Sequence, residues 1–183
     1  MSLPNFLHAV AGAYGRLQHE PDSPAVIRAY ASLTGELWQQ YQALLASGLS
    51  ITFTPADPYP DSRALFAAMD ARTLQVYTCA ELPARHPFAY SAPNGHTFNS
   101  IFRAVHDAIA HYPARNGFSM RGEFAAFHAH ARTLTPASVN ALATETLGQN
   151  ATYHYGPNAR TFAPQRAAIL PYALIRCALS LEY

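Results

Sequence analysis

The chain has 183 residues, half of them hydrophobic and only 13% charged, which is one domain's worth of sequence with enough apolar material for a sizeable core. All 12 basic residues are arginine. The absence of lysine excludes a PLP Schiff base, a lysine nucleophile and a Walker A phosphate loop, and the absence of a GxGxxG run leaves a Rossmann cofactor site unsupported.

The first elements in chain order are helical. Leu3 to Leu17 reads as a short helix. Ser23 is placed to cap a second, with Pro24 at its first position and Val26, Ile27, Tyr30, Leu33, Leu37, Tyr41 and Leu44 recurring at helical spacing up to Gly48. Ser50 to Thr54 alternates as a strand does, Ser62 to Asp70 reads as a helix, and Leu74 to Thr78 as a second strand. Two short strands flanking a helix predict a small sheet attached to a helical body. Residues 80–96 carry Pro83, Pro87, Pro93 and Gly95 and read as loop, with His86 on its surface.

Helices resume in the second half. Asn99 to Tyr112 forms one, stopped by Pro113. Arg121 to Thr133 forms the next, capped by Ser119. Pro136 to Leu147 forms a third, with Thr135 as cap and Gly148 as terminator, and a last helix begins at about Pro164. The fold class expected is mainly α, helical with a small two-stranded β element. It is a single domain over 1–183, with helices and the β element in 1–80 and motif-bearing helices in 97–152.

No apolar run is long enough to span a bilayer, and the first twenty residues lack the basic start of a signal peptide, so the expectation is a cytoplasmic protein with no membrane partner. Cys79 and Cys177 lie far apart in apolar stretches and read as buried reduced thiols.

The chemistry concentrates between Gly95 and Leu181. The carboxylates of that stretch are Asp107, Glu123 and Glu145, set among seven arginines and six histidines. On an α-helix, Arg103, Asp107 and His111 share one face at i, i+4, i+8 spacing, bordered by small alanines, with His106 between the two faces. Glu123, Phe127 and His130 stack on the next helix, while His128 points elsewhere. Glu145 ends the third helix, with Gln149 and Asn150 just beyond it.

Mixed imidazole and carboxylate ligands suit Zn, Fe or Mn. The expected metal ligands are Asp107, His111, Glu123 and His130, with Glu145, Arg103, His106, Gln149 and Asn150 in catalytic roles. The plainer alternative is a buried polar network that fixes helix packing. HExxH and paired ExxH signatures are missing, so zincin and ferritin-like di-iron sites are unsupported. Arg103 and Arg121 are candidate anion contacts or ordinary salt-bridge partners. The segment Tyr153 to Tyr155 is a candidate base-stacking or packing element.

Net charge is −2 over residues 1–95 and +3 over 96–183, summing to the overall +1. A basic second half could attract a phosphate-bearing ligand or nucleic acid, or be a weak surface bias.

These residues carry a resemblance. Phe102-Arg103-Ala104-Val105-His106-Asp107, His111, Gly117-Phe118, Arg121-Gly122-Glu123, Phe127, His130, Pro136, the run Thr144-Glu145-Thr146-x-Gly148-Gln149-Asn150 and the late Phe162-Ala163-x-Gln165 resemble a phage-associated domain family found alone and within large multi-domain phage polypeptides. The resemblance is strong from Asn99 to Asn150 and looser upstream, around His86-Pro87. It implies a phage or prophage origin and supplies no reaction. Tyr112-Pro113 departs from the small residues commoner there. His106-Asp107 is also similar to the HD phosphohydrolase pair, but no aspartate follows Asp107 to close such a site.

The leading functional expectation is a metal-dependent hydrolase acting on a nucleotide or nucleic-acid component. The alternative is a non-catalytic phage accessory or interaction protein built on a buried His/Asp/Glu network. A third reading is nucleic-acid binding through the basic half.

Overall fold

The computed structural model describes residues 2–78, 81–158 and 160–181. Its element order is α1 (Leu3–Arg16), α2 (Pro24–Ala46), β1 (Ser50–Thr54), α3 (Ser62–Asp70), β2 (Thr73–Tyr77), α4 (Phe98–His106), α5 (Met120–Ala131), α6 (Pro136–Ala143), α7 (Gln149–Tyr155) and α8 (Tyr172–Ser180). The architecture is mainly α with one small sheet. No helix among the described residues is long and apolar enough to cross a membrane.

Strands β1 and β2 pair in parallel, Ser50 opposite Thr73 and Phe53 opposite Val76, with α3 making the crossover that parallel strands require. Asp61 starts α3 by accepting hydrogen bonds from the backbone N–H groups of Arg63 (2.9 Å) and Ala64 (3.0 Å). The buried residues of β2, Leu74 and Val76, alternate with exposed ones, and the strand rests against α4. Helix α2 is the spine. Its stripe of Val26, Tyr30, Leu33, Leu37 and Tyr41 is buried where α6 and α4 pack over it. Phe6, Leu7, Val10 and Tyr14 of α1 close the core from the side of α7.

Ser119 caps α5 through Gly122 N–H (3.2 Å), as expected. Ser23 and Thr135 make no side-chain cap bond. Thr135 gives its hydroxyl to Glu36 of α2 instead, and Glu36 Oε2 accepts the Thr135 N–H at 2.9 Å. A carboxylate on a neighbouring helix thus satisfies the start of α6. The last helix begins at Tyr172, later than Pro164, because Pro171 sets its start.

The larger differences lie in the second half. Helix α4 does not run as α-helix to Tyr112. It passes at His106 into a π-helical turn over Asp107–His111, closed by Tyr112 N–H donating to Asp107 C=O at 3.1 Å. Helix α6 does not stop at Gly148. It passes through a second π-helical turn, Thr144–Gly148, directly into α7. Gly148 is no terminator: its φ is helical, and a Cβ there would lie 2.3 Å from Tyr14 Cδ2. Glycine is needed because α1 presses its tyrosine ring against the helix backbone at that point. Gly122 plays a similar part, since a Cβ there would lie 1.9 Å from Gly117 O.

Candidate metal site and its cavity

The first π turn decides which histidines meet. Five residues on an α-helix span about 500°, which puts His106 and His111 on different faces. An i→i+5 turn stacks residues five apart instead. The two imidazoles therefore come together, ring centroids 4.9 Å apart and nearly perpendicular. Glu123, in the first turn of α5, approaches the same spot, with its Oε2 3.7 Å from His111 Nε2.

His106, His111 and Glu123 each offer a ligand atom, and the three atoms lie within 4.8 Å of one another. This group could hold a metal ion. Asp107 and His130, expected among the ligands, fall outside it. His106, expected in a catalytic role and not as a ligand, stands within it.

The hydrogen bonds leave the right lone pairs bare. His111 Nδ1 faces the carbonyl of Asn116 at 2.8 Å, so Nδ1 carries the proton and Nε2 is the free acceptor aimed at Glu123. His106 Nδ1 is 3.0 Å from His130 Nδ1, and its Nε2 is buried with no partner among the described residues. Burial holds both imidazoles below the usual histidine pKa, and at His106 the neighbouring imidazoles add to the effect. Neutral imidazole is the form that binds metal.

Glu123 is anchored by Asn150, whose Nδ2 donates to Oε2 at 2.8 Å. Burial, and then the charge of Asp107, push the Glu123 carboxyl up to about 8. Burial likewise pushes Asp107 up to about 7, against the pull of Arg103.

All of this opens on a cavity of about 910 Å³. Its described lining includes Arg103, His106, Asp107, His111, Glu123, Glu145, Gln149 and Asn150, so every expected site residue except His130 reaches it. His130 is fully buried behind His106, where burial lowers its pKa to about 3. The charge balance of the cavity differs from that of the chain's second half. Asp57, Glu81, Asp107, Glu123 and Glu145 face it, and Arg103 is the lone arginine among its described lining residues. Arg103 also stacks over Tyr77, 5.5 Å from the ring centre. Arg121 stays exposed outside the lining. Tyr153 faces the cavity and stacks on Phe162, centroids 4.4 Å apart, while Phe162 itself is largely exposed.

A second polar cluster occupies the wall formed by the other π turn. Glu145 Oε1 accepts the Tyr30 hydroxyl and lies 3.2 Å from His86 Nε2, while Gln165 Nε2 donates to Oε2 at 2.9 Å. His86 is not on the loop surface as expected. It is fully buried, and its Nδ1 accepts the Phe88 N–H at 3.2 Å, so the ring caps the short 3₁₀ turn Pro87–Ala89 while its other nitrogen faces Glu145. Gln149 donates to the Tyr14 hydroxyl, which donates onward to Pro164 C=O at 3.2 Å. Burial and the Glu145 charge hold both tyrosines well above the ordinary phenol pKa.

Sequence reasoning missed Tyr30, Tyr14, Gln40 and Asn116. Tyr30 read as an apolar stripe position, which it also is. His86 and Gln165 were visible as motif residues without an assigned partner. His128, which was expected to point away from Glu123 and His130, is buried and is not among the lining residues of the cavity. Cys177 is a half-buried free thiol; Cys79 lies outside the described residues. Comparison of the chain with protein families, with curated proteins and with solved structures returns no match.

Proposed function

We propose that this chain is a metal-dependent hydrolase. His106 Nε2, His111 Nε2 and the Glu123 carboxylate would hold one divalent ion, Zn, Fe or Mn. The observation that carries the reading is the buried Nε2 of His106, which has no partner among the described residues, beside the His111 imidazole and the Glu123 carboxylate at the wall of a large cavity. Leaving such atoms buried without a partner is costly, and a ligand removes the cost. Two imidazoles and one carboxylate with remaining positions open are a ligand set of catalytic rather than structural ions. When bound, the ion supplies Lewis acidity and a nucleophile from water at neutral pH.

The chain's own residues do the rest. Asn150 orients Glu123, and Asn116 orients His111. Asp107, beside the ligands and facing the cavity, would take a proton from an attacking water, with the Arg103 charge favouring its ionised form before the transfer.

We propose a nucleotide or nucleic-acid component as substrate and a phage or prophage origin for the chain. Support for the substrate comes from the aromatic rings at the cavity, Tyr59, Tyr77, Phe118, Tyr153 and Phe162, which offer stacking faces for a base. The arginines support it less, since Arg103 stands alone there among five carboxylates. The accessory-protein reading is favoured by one observation, the Glu145 cluster, in which Tyr30 and Gln165 donate to the carboxyl and His86 lies 3.2 Å from it, so that α2, the His86 loop and the α6–α7 turn are held together.

The test is metal titration of chelator-stripped protein by calorimetry, followed by a panel of nucleotide and phosphodiester substrates with and without the ion. One ion per chain is expected, with binding lost in His111→Ala and Glu123→Gln. Saturating the site at about 100 times Kd adds about 2.7 kcal/mol of stability. Failure of Zn, Mn and Fe(II) to bind sinks the proposal.

A further inference from the structure

His130 is the expected site residue that does not reach the cavity, and its surroundings give it a different task. The chain of contacts starts at the surface. The Thr133 hydroxyl donates to the His130 carbonyl at 2.8 Å, so its oxygen is left to accept. Gln40 Nε2 donates to that oxygen at 2.9 Å, which fixes the amide with its carbonyl oxygen toward His130. Gln40 Oε1 lies 3.3 Å from His130 Nε2, and an amide oxygen only accepts, so His130 Nε2 carries a proton.

The remaining nitrogen, His130 Nδ1, is 3.0 Å from His106 Nδ1. One of the two must donate. A charged His130 would donate from both nitrogens, but the ring is fully buried and meets an amide oxygen and an imidazole, not a carboxylate. The neutral ring therefore accepts at Nδ1, and His106 donates from its own Nδ1. His106 Nε2 is then unprotonated by construction.

We infer that Thr133, Gln40 and His130 form a relay that locks His106 in its Nδ1–H tautomer and so keeps the Nε2 lone pair turned to the metal site. His130 is a positioning residue and not a ligand. The inference rests on the metal-site reading for its purpose, but the tautomer itself belongs to the metal-free protein. Without the relay, His106 could place its proton on Nε2, and that proton would have to leave before an ion could bind.

The experiment is ¹⁵N–¹H long-range correlation of the imidazole nitrogens in metal-stripped protein labelled at histidine, with Zn²⁺ affinity measured alongside. In the wild type, His106 shows a protonated Nδ1 and a bare Nε2. Gln40→Met removes the acceptor and keeps the volume: His106 becomes a mixture of tautomers and Zn²⁺ affinity falls about 10-fold or more. Thr133→Ser keeps the hydroxyl and retains both wild-type tautomer and affinity, while Thr133→Val, at an exposed position that does not threaten the fold, behaves like Gln40→Met.

A wild-type His106 protonated at Nε2 overturns the relay, whatever the ion does. A shifted tautomer in Gln40→Met with unchanged Zn²⁺ affinity overturns the positioning role. The expected tautomer in a protein that binds no ion upholds the relay and removes the metal-site reading.

Discussion

Burying Asp107 and Glu123 in one cavity makes the metal-free protein sensitive to alkali. Their carboxyls stand at about 7 and about 8 in the folded chain, against ordinary values of 3.8 and 4.5. An acid whose pKa is raised by folding keeps its proton longer in the native state. Its contribution to stability is full below the unfolded pKa and is lost as pH climbs through the folded one.

The buried histidines act in the opposite sense. Burial lowers the pKa of His106, His111, His128 and His130, so each costs stability as pH falls below its ordinary value of 6.5. Above neutrality the unfolded histidines are largely deprotonated and this effect fades. Between about pH 7 and pH 8.5 the carboxyls alone would remove roughly 1.5 kcal/mol, and the residual histidine effect returns roughly a third of that. The net loss expected is about 1 kcal/mol, which for a chain of this size lowers Tm by about 2–4 °C.

Urea unfolding in the presence of a chelator measures it. Asp107→Asn with Glu123→Gln removes the two titrations, and the downward slope disappears. A wild-type curve that is flat or rising over that range, or one that the double variant reproduces, refutes the assignment of two buried carboxyls to this cavity. Saturating Zn²⁺ reverses the trend, since the bound form needs Glu123 ionised and apparent affinity climbs with pH.

Asp107→Asn alone retains Zn²⁺ binding because Asp107 is outside the ligand group, while turnover of any substrate found falls by about 100-fold or more, measured as kcat at saturating metal. Gly148→Ala drives a Cβ to within 2.3 Å of the Tyr14 ring and costs about 1–3 kcal/mol in urea unfolding; Tyr14→Leu in the same chain recovers part of the loss. Tyr30→Phe removes one donor from the buried Glu145 carboxylate and costs about 1.5–3 kcal/mol, a loss that Glu145→Gln in the Tyr30→Phe background makes smaller by double-mutant cycle.

Much of the fold was readable from local pattern. Ser62–Asp70 reads as a helix and Ser50–Thr54 alternates as a strand, and both appear at the expected residues; the Asp61 cap of the helix was not singled out. The caps at Ser23 and Thr135 were legible only as residue types. Whether a hydroxyl turns to its own helix or to Glu36 on another is decided by tertiary contact, which no local window contains. His86 failed for a related reason. A histidine between prolines reads as loop surface, and its burial depends on a glutamate and a tyrosine far away in sequence.

The candidate site shows how far helical periodicity can be trusted. At 100° per residue, Asp107 and His111 align and His106 turns aside, which made Asp107 the expected ligand. The π turn over Asp107–His111 changes that alignment and puts His106 beside His111. The second π turn carries the α6 helix past Gly148, so that Glu145 faces Tyr30 and His86 while Gln149 and Asn150 still reach the cavity.

Such turns give up α-helical hydrogen bonding and persist where surrounding contacts compensate. Here the compensation is visible at both turns. Asn116 Nδ2 donates to the Ala110 carbonyl at 2.8 Å and its backbone N–H to the His111 carbonyl at 2.9 Å. Thr146 and Thr152 return their hydroxyls to the carbonyls of Leu142 and Gly148, each at 2.7 Å. The residues that motif reading selected thus sit on and around two local departures from the α-helix. The same departures reassign their roles, because a one-residue change of register exchanges the side chain that faces a partner for the one beside it.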